Sequence, residues 1–330
     1  MNVDFYNSKA FKINSDDLKE KIFIECEMLL GMKLKRDYFP GSQPVTVERK
    51  NFETIKKEKY MICEKSDGER AVLILININD KPMCFIINRN NELYFMDFSF
   101  KKEVFEGSIF DGEIIKTKKT SESEGSWNYL IHDCMVYNGS SFMETSHNLR
   151  YACVVDFIIK RYINKPTDCF NIKTKLFYKY GSELVKTWEH INKTTENKID
   201  GLIFTPINEP IKFGRDYNLL KWKEDHTVDF SVKKIGIKIN LYYIKNKGTQ
   251  VFKVLSKGTE NYDLILKYLT ENDLLKREKD AKDVIIEFKI PKKDYFTPYR
   301  LRLDKDRPNG EITVINTLKN IEENIKIEEI

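Results

Sequence analysis

"YMICEKSDGERAVLILI", Tyr60 to Ile76, is two apolar runs separated by a short polar break. The runs are strand-sized and rich in β-branched residues, and Ser66-Asp67-Gly68 between them is turn chemistry, so the stretch reads as two strands meeting at a turn. Lys65, Asp67, Glu69 and Arg70 crowd that break. Taken alone, a polar turn accounts for them, since lysines are common beside turns.

The same pattern continues on both sides. "MCFIIN", "ELYFMDF", "SIFDGEII" and "NYLIHDCMVY" extend it, so the region from about residue 45 to 137 reads as antiparallel sheet. Upstream, "SDDLKEKIFIECEMLLG" spaces Leu18, Ile22, Cys26 and Leu29 as a helix does, with Ser15 or Asp16 as cap and Gly31 as stop. Downstream, "SHNLRYACVVDFIIKRYI" predicts a second helix, and "LFYKY", "GLIFT" and "LLKWK" predict further strands. After about residue 226 the alternation resumes in "TVDFSVKKIGIKINLYYIKNKGTQVFKVLSKG". A helix over "NYDLILKYLTENDLLKREKDAK" follows, and then strands over "DVIIEFKI" and "EITVINTL".

The fold class expected is therefore α+β, with a first domain over 1–226 and a second over 227–330. Antiparallel sheets with flanking helices make the first. Five or so strands with one helix suit a small barrel of the oligonucleotide-binding (OB) type for the second. Residues 317–330, "TLKNIEENIKIEEI", predict a helix that packs back on the first domain.

Composition narrows the function classes. The 330 residues carry 56 basic against 51 acidic side chains, a net charge of +5, which permits a phosphate-rich partner without demanding one. The six cysteines form no CxxC pair, so neither a disulfide framework nor a zinc site is expected, and a reducing compartment suits them. The four histidines make no metal-binding helix pattern. The N-terminus lacks an apolar leader and the longest apolar runs are strand-sized, so an intracellular chain with no membrane partner is expected.

Six short motifs give the break at Lys65 a second meaning. They are "KSDGER" (65–70), "NRNNELY" (88–94), "IFDGEII" (109–115), "IDGLIFTP" (199–206), "LLKWK" (219–223) and "RLDKDRPN" (302–309). In this order and at strand ends, the series resembles that of the covalent nucleotidyltransferases, the superfamily of messenger RNA capping guanylyltransferases and ATP-dependent ligases. The forms "GSIFDGEII", "DGLIFTP" with Asp200 where ligases usually carry Glu, "LLKWK" followed by "HTVDF", and "RLDKDRPN" resemble the capping branch.

The resemblance implies a nucleotidyltransferase domain followed by the OB domain, and it implies a chemistry. Lys65 is the implied nucleophile, attacking the α-phosphorus of GTP, expelling pyrophosphate and leaving lysyl-GMP. Only a neutral amine attacks, and a free lysine has a pKa near ~10.4, so nearby positive charge and desolvation are needed. Arg70, Lys221, Lys223 and a bound metal are the candidates for that charge. Glu113 and Asp200 are the implied ligands of Mg²⁺ or Mn²⁺, hard cations suited to a triphosphate, with Asp111 turning a strand end. Glu64 and Lys175 are implied GTP contacts, Arg70 a ribose or phosphate contact, and Arg89 a ribose contact. Lys221 and Lys223 share one strand face, which leaves Trp222 pointing into the core. Arg302, Asp304 and Lys305 are implied to meet the β- and γ-phosphates.

One position departs from the family. His132 stands where a phenylalanine usually stacks on the purine, and imidazole stacks less strongly; a core or turn histidine is an equal reading. The acceptor implied is RNA with a 5′-diphosphate end. An RNA triphosphatase and a cap methyltransferase are then separate proteins, with the transcription machinery a further contact. An ATP-dependent polynucleotide ligase and an inactive RNA-binding relative are the rival readings. A compact viral form, acting in the nucleus or at a cytoplasmic replication site, is the expected setting.

Overall fold

A computed structural model describes residues 2–5, 8–119, 125–165, 168, 170–276, 284–292, 294–303 and 305–330. The chain falls into two compact units, Met1–Trp222 together with Ile330, and Lys223–Glu329.

The first unit opens with β1 (Asn2–Phe5), β2 (Ser8–Lys12) and helix α1 (Asp16–Leu30). Ser15 caps α1 by accepting from the Leu18 amide, and Gly31 ends it at φ 69°, a left-handed conformation that costs glycine little. There follow β3 (Ser42–Thr46), α2 (Phe52–Lys57), β4 (Tyr60–Ser66), β5 (Glu69–Ile78), β6 (Lys81–Asn88), β7 (Leu93–Met96), β8 (Ser108–Lys116) and β9 (Trp127–Tyr137). The remainder is β10 (Ser140–Ser141), α3 (His147–Asp156), β11 (Asn171–Thr174), β12 (Tyr178–Lys179), α4 (Leu184–Thr194), β13 (Ile199–Pro206) and β14 (Gly214–Lys223).

Two sheets result. One runs β1-β2-β7-β6-β5-β8-β9-β10 with β11 beside β9, and the other runs β12-β4-β13-β14-β3. β5 is central to the first and buried on both faces: Ala71, Leu73 and Leu75 enter one core, Val72, Ile74 and Ile76 the other. That double burial explains a continuous apolar run in place of an alternating one. Each of these valine, leucine and isoleucine side chains contributes about 1.5–3 kcal/mol by leaving water.

Three local expectations need correction. The pairs β11–β9 and β14–β3 are parallel, so the sheets are not wholly antiparallel. Helix α4 lies where no element was expected, although Leu184, Trp188 and Ile191 are buried at helical spacing. The Asp-Gly pairs at 111–112 and 200–201 are not strand-end turns. Both lie inside strands, at register shifts in the β8–β9 and β13–β4 pairings.

The second unit has β15 (Thr227–Ile235), β16 (Lys238–Lys245), β17 (Gly248–Ser256), α5 (Glu260–Glu271), β18 (Val284–Lys292), β19 (Tyr295–Leu301) and α6 (Glu311–Glu323). Its strands pair antiparallel in the order β17-β16-β15-β18-β19, and among the described residues no pairing joins β17 to β19, so the sheet is not a closed barrel. "EITVINTL" is helix, not strand. Val314, with Leu318 and Ile321 one and two turns on, packs on this unit's core while Ile312 and Ile315 face water, which is a helical stripe. Of the helix expected over 317–330, residues 317–323 form the end of α6, whose Leu318 and Ile321 pack on this unit's core, and residues 324–330 lie beyond it. No helix of the described residues is long and apolar enough to cross a membrane.

Candidate active site

Lys65 is the penultimate residue of β4, and Arg70 the second of β5, so residues 65–70 carry the chain from the smaller sheet into the larger one. Gly68 makes this crossing possible. A Cβ there would lie 2.4 Å from Ile115 Cγ2 and 2.5 Å from the Ile114 carbonyl oxygen, and its amide donates to Glu113 Oε1 at 3.2 Å. Both contacts need close approach of the backbone to β8.

Strand pairing then assembles the site. Gly201 of β13 lies opposite Lys65, which places Asp200 Oδ1 2.6 Å from Lys65 Nζ. Arg70 lies opposite Glu113 on β8. Lys175, just past β11, is held by its amide on the Ile131 carbonyl, and its buried Nζ reaches Glu113 Oε2 at 2.7 Å and the Glu64 carbonyl at 3.4 Å. Burial opposes the charge on Lys175, but the Glu113 carboxylate outweighs it, so its pKa lies above the ordinary lysine value.

Beside this pair sits a second buried ion pair. Arg70 meets Asp111 through both ends of its guanidinium, Nε to Oδ1 at 2.9 Å and Nη2 to Oδ2, while Nη1 donates to the Ser42 carbonyl and the Phe39 ring lies 5.3 Å away. Asp111 is therefore the counter-charge for Arg70. His132 falls at the register shift between β8 and β9, an extra residue that points its Nε2 to within 3.5 Å of Asp111 Oδ1. Asp133 and Arg150 pin that bulge, Nε to Oδ1 at 2.7 Å, with Arg150 buried.

His132 is pushed down to about 3, first by burial and then by the nearby charges of Arg70 and Lys175. The imidazole is neutral at working pH. In the unfolded chain it titrates near ~6.5, so its contribution to stability is complete above that pH and is lost as pH falls toward 3. Urea unfolding at pH 4.5, 5.5, 6.5 and 7.5 is expected to show a shallower acid loss for His132→Phe than for the parent, by up to ~1.4 kcal/mol per pH unit. Equal slopes in the two proteins would mean that His132 titrates normally.

The other residues singled out from sequence divide into three groups. Arg89 is exposed, one residue beyond the Ala71–Asn88 pair, and so lies at the same sheet end as Arg70. Lys221 and Lys223 occupy alternate positions of β14, and Trp222 between them is buried edge-on against Trp188 at 5.3 Å. Glu64 is held by its own set of contacts. Its carboxylate accepts from Ser66 Oγ at 2.8 Å, Thr195 Oγ1 at 2.6 Å and Asn197 Nδ2 at 2.6 Å, on the face of β4 opposite Lys65, so its side chain ties the strand to the turn before β13.

In the second unit, Arg302 Nη1 donates to Asp229 Oδ1 at 3.1 Å, and Lys305 pairs with the same carboxylate. Asp304 lies outside the described residues. Reasoning from sequence missed Asp229 and the Asp111–Arg70 pairing. "HTVDF" and "FDGEI" contain the two acids, but only strand register names their partners.

Glu113 and Asp200, the carboxylates that the motif resemblance assigns to a cation, are each paired with a lysine, Lys175 and Lys65. Among the described residues no three His, Cys, Asp or Glu side chains gather as an all-protein metal centre. Such a donor set fits Mg²⁺ or Mn²⁺ in the manner in which one or two carboxylates share the ion with water and phosphate.

The family model for the mRNA capping enzyme catalytic domain matches residues 8–225, and that for the mRNA capping enzyme C-terminal domain matches residues 211–330. The chain belongs to the mRNA capping enzyme family. It is 32% identical over 243 residues to the mRNA-capping enzyme subunit alpha of Candida glabrata, covering 66% of this chain and 53% of that protein. The Saccharomyces cerevisiae protein of the same name is 31% identical, covering 66% and 52%. That of Schizosaccharomyces pombe is 25% identical over 324 residues, covering 89% and 79%. The chain thus spans about half the length of the first two relatives. Among solved structures, a mycobacterial DNA ligase D complexed with ATP and MES aligns with a TM-score of 0.45 at 11% identity, over 83% of this chain and 98% of that one.

Proposed function

We propose that the chain is an mRNA guanylyltransferase that transfers GMP from GTP to the 5′-diphosphate end of RNA through a lysyl-GMP intermediate. The observation that carries this reading is Lys65 Nζ at 2.6 Å from Asp200, at the junction of two sheets that also bring Glu113 and Lys175 together. In the first half-reaction the neutral Lys65 nitrogen bonds to the α-phosphorus and gives up a proton to solvent, the bond from that phosphorus to the α–β bridging oxygen breaks and pyrophosphate leaves. In the second, a terminal oxygen of the RNA diphosphate attacks that phosphorus, the N–P bond breaks and the amine takes back a proton.

The residues divide the work by charge and position. Asp200 holds the Lys65 ammonium on target, and because a paired carboxylate favours the charged form, that contact must loosen before the amine attacks. Lys175, kept protonated by Glu113, and Arg70, kept charged by Asp111, supply fixed positive charge on the same side of the large sheet. Arg89 suits ribose contact from the adjacent turn, and Lys221 and Lys223 suit phosphate contact from β14. A Mg²⁺ or Mn²⁺ ion on Glu113 and Asp200 would neutralise charge developing on the triphosphate. Arg302 and Lys305 suit the β- and γ-phosphates. The RNA end must be prepared by a triphosphate-hydrolysing activity and its cap then methylated, so such activities act before and after this step.

The test is incubation with α-labelled GTP or ATP and Mg²⁺ or Mn²⁺, followed by a denaturing gel. Label from GTP alone is the expected result. Label from ATP alone would move the chain to ligase chemistry, and no label with either nucleotide would leave an RNA-binding relative.

A further inference from the structure

Residues 39–42, Phe-Pro-Gly-Ser, lead into β3 and belong to none of the six motifs. They nonetheless close on the guanidinium of Arg70. Its Nη1 donates to the Ser42 carbonyl, and its central carbon lies 5.3 Å from the centre of the Phe39 ring. Gly41 comes closer still. A Cβ on it would stand 2.8 Å from Arg70 Nη2, 3.0 Å from Asp111 Oδ2 and 3.0 Å from Phe39 Cε1, so any side chain there would have to displace a neighbour.

Backbone conformation does not ask for glycine at this position. Gly41 is not among the residues with positive φ, so an alanine could adopt its backbone, and what excludes a side chain is space. Shifting the segment would not readily make that space. Phe39 is buried in the core that includes Val72 and Ile74 of β5. At the other end the Gly41 carbonyl accepts from the Gly214 amide at 3.0 Å, and Ser42 lies opposite Gly214 in the β3–β14 pairing. The segment is thus fastened to both sheets, and close-packed surroundings resist added volume. A methyl group at Gly41 would therefore press on the guanidinium, the far end of a long side chain and the softer partner.

We propose that Gly41 is a positioning residue for the first half-reaction: its missing side chain fixes where the Arg70 guanidinium stands to receive GTP. The proposal rests on the guanylyltransferase reading, in which Arg70 contacts the ribose or a phosphate. Asp111 and Ser42 take three of the five guanidinium N–H groups, on Nε, Nη2 and Nη1. In these bonds one N–H on each terminal nitrogen is left for a ligand. The direction of those two groups follows from the plane of the guanidinium, and Asp111 and residues 39–42 together set that plane.

The test measures the rate of lysyl-GMP formation against GTP concentration for the full chain and for Gly41→Ala. The variant is expected to raise the half-saturating GTP concentration about tenfold and to keep the maximal rate within about twofold, the pattern of a contact made equally to substrate and transition state. Thermal unfolding separates this from a merely structural role. Gly41→Ala is expected to lower Tm by about 3 °C in the parent and by less than about 1 °C in Asp111→Val/Arg70→Met, which lacks Nη2 and Oδ2. Should Gly41→Ala fail to fold, Phe39→Leu carries the test. It adds no bulk and removes the ring from the guanidinium, for an expected rise of about threefold in half-saturating GTP. An unchanged half-saturating concentration in the folded variant would overturn the proposal, as would a fall in maximal rate alone or an equal loss of Tm in the two backgrounds. No label in the parent sinks the guanylyltransferase reading, whereas a labelled parent with unaltered GTP dependence in the variant sinks only the role of Gly41.

Discussion

Lys65→Arg is expected to abolish the denaturation-resistant label from GTP while leaving the fold intact. Arginine keeps the positive charge that faces Asp200, so the 2.6 Å ion pair has a replacement partner and the strand end stays neutralised. What it cannot do is lose its proton, and an amine without a free lone pair cannot bond to phosphorus. Loss of the nucleophile itself costs on the order of 10⁶-fold, which puts the label below detection. Gel autoradiography with α-labelled GTP measures this, and thermal unfolding within a few degrees of the parent shows that the fold survives. A variant that still labels would place the nucleophile elsewhere, with Lys175, Lys221 and Lys223 the next residues to replace.

The second large effect is on stability. Asp111→Ala removes the carboxylate that holds both ends of the Arg70 guanidinium and leaves that charge without its closest counter-charge. Removing one member of a buried ion pair costs about 3–5 kcal/mol, because the remaining charge has lost both water and partner. For a unit of this size that corresponds to a fall in Tm of roughly 10 °C. Replacing both, as Asp111→Val/Arg70→Met, is expected to recover most of the loss, since two apolar groups need no counter-charge. GTP labelling is expected to stay low in the double variant, with Arg70 gone. Differential scanning calorimetry of the three proteins decides it, and a single variant as stable as the parent would show that Arg70 finds water or another acid.

The same charges bear on how the site is read. Three basic groups of the site have a protein carboxylate in contact: Lys65 with Asp200, Lys175 with Glu113, Arg70 with Asp111. In the second unit, Arg302 and Lys305 share Asp229. A polyanionic nucleotide entering such a site exchanges partners and has little need to create new charge. Surface ion pairs contribute little to stability, but buried ones fix geometry, and Asp111–Arg70 and Lys175–Glu113 are both buried.

The sequence by itself determined a good deal. Strand-sized apolar runs with Asp-Gly and Asn-rich breaks specified the β region, because side-chain period and turn chemistry are local properties. Ser15 and Gly31 delimited α1 for the same reason. Lys65, Glu113 and Asp200 could be singled out together because their motifs follow one order along the chain, and the structure sets Lys65 against Asp200.

Only the tertiary structure decided which of those residues meet. Glu64 and Lys65 are neighbours in sequence, yet strand alternation sends one to Thr195 and Asn197 and the other to Asp200. Asp111 read as a turn residue, and its position inside β8 made it the partner of Arg70, 41 residues away. His132 owes its direction to one extra residue in the β8–β9 pairing, a shift invisible in composition or periodicity. "EITVINTL" alternates well enough for a strand, and the packing of Val314 against the second core made it a helix. In each case the deciding interaction joins residues far apart in the chain, and its energy exists only once the sheets have formed.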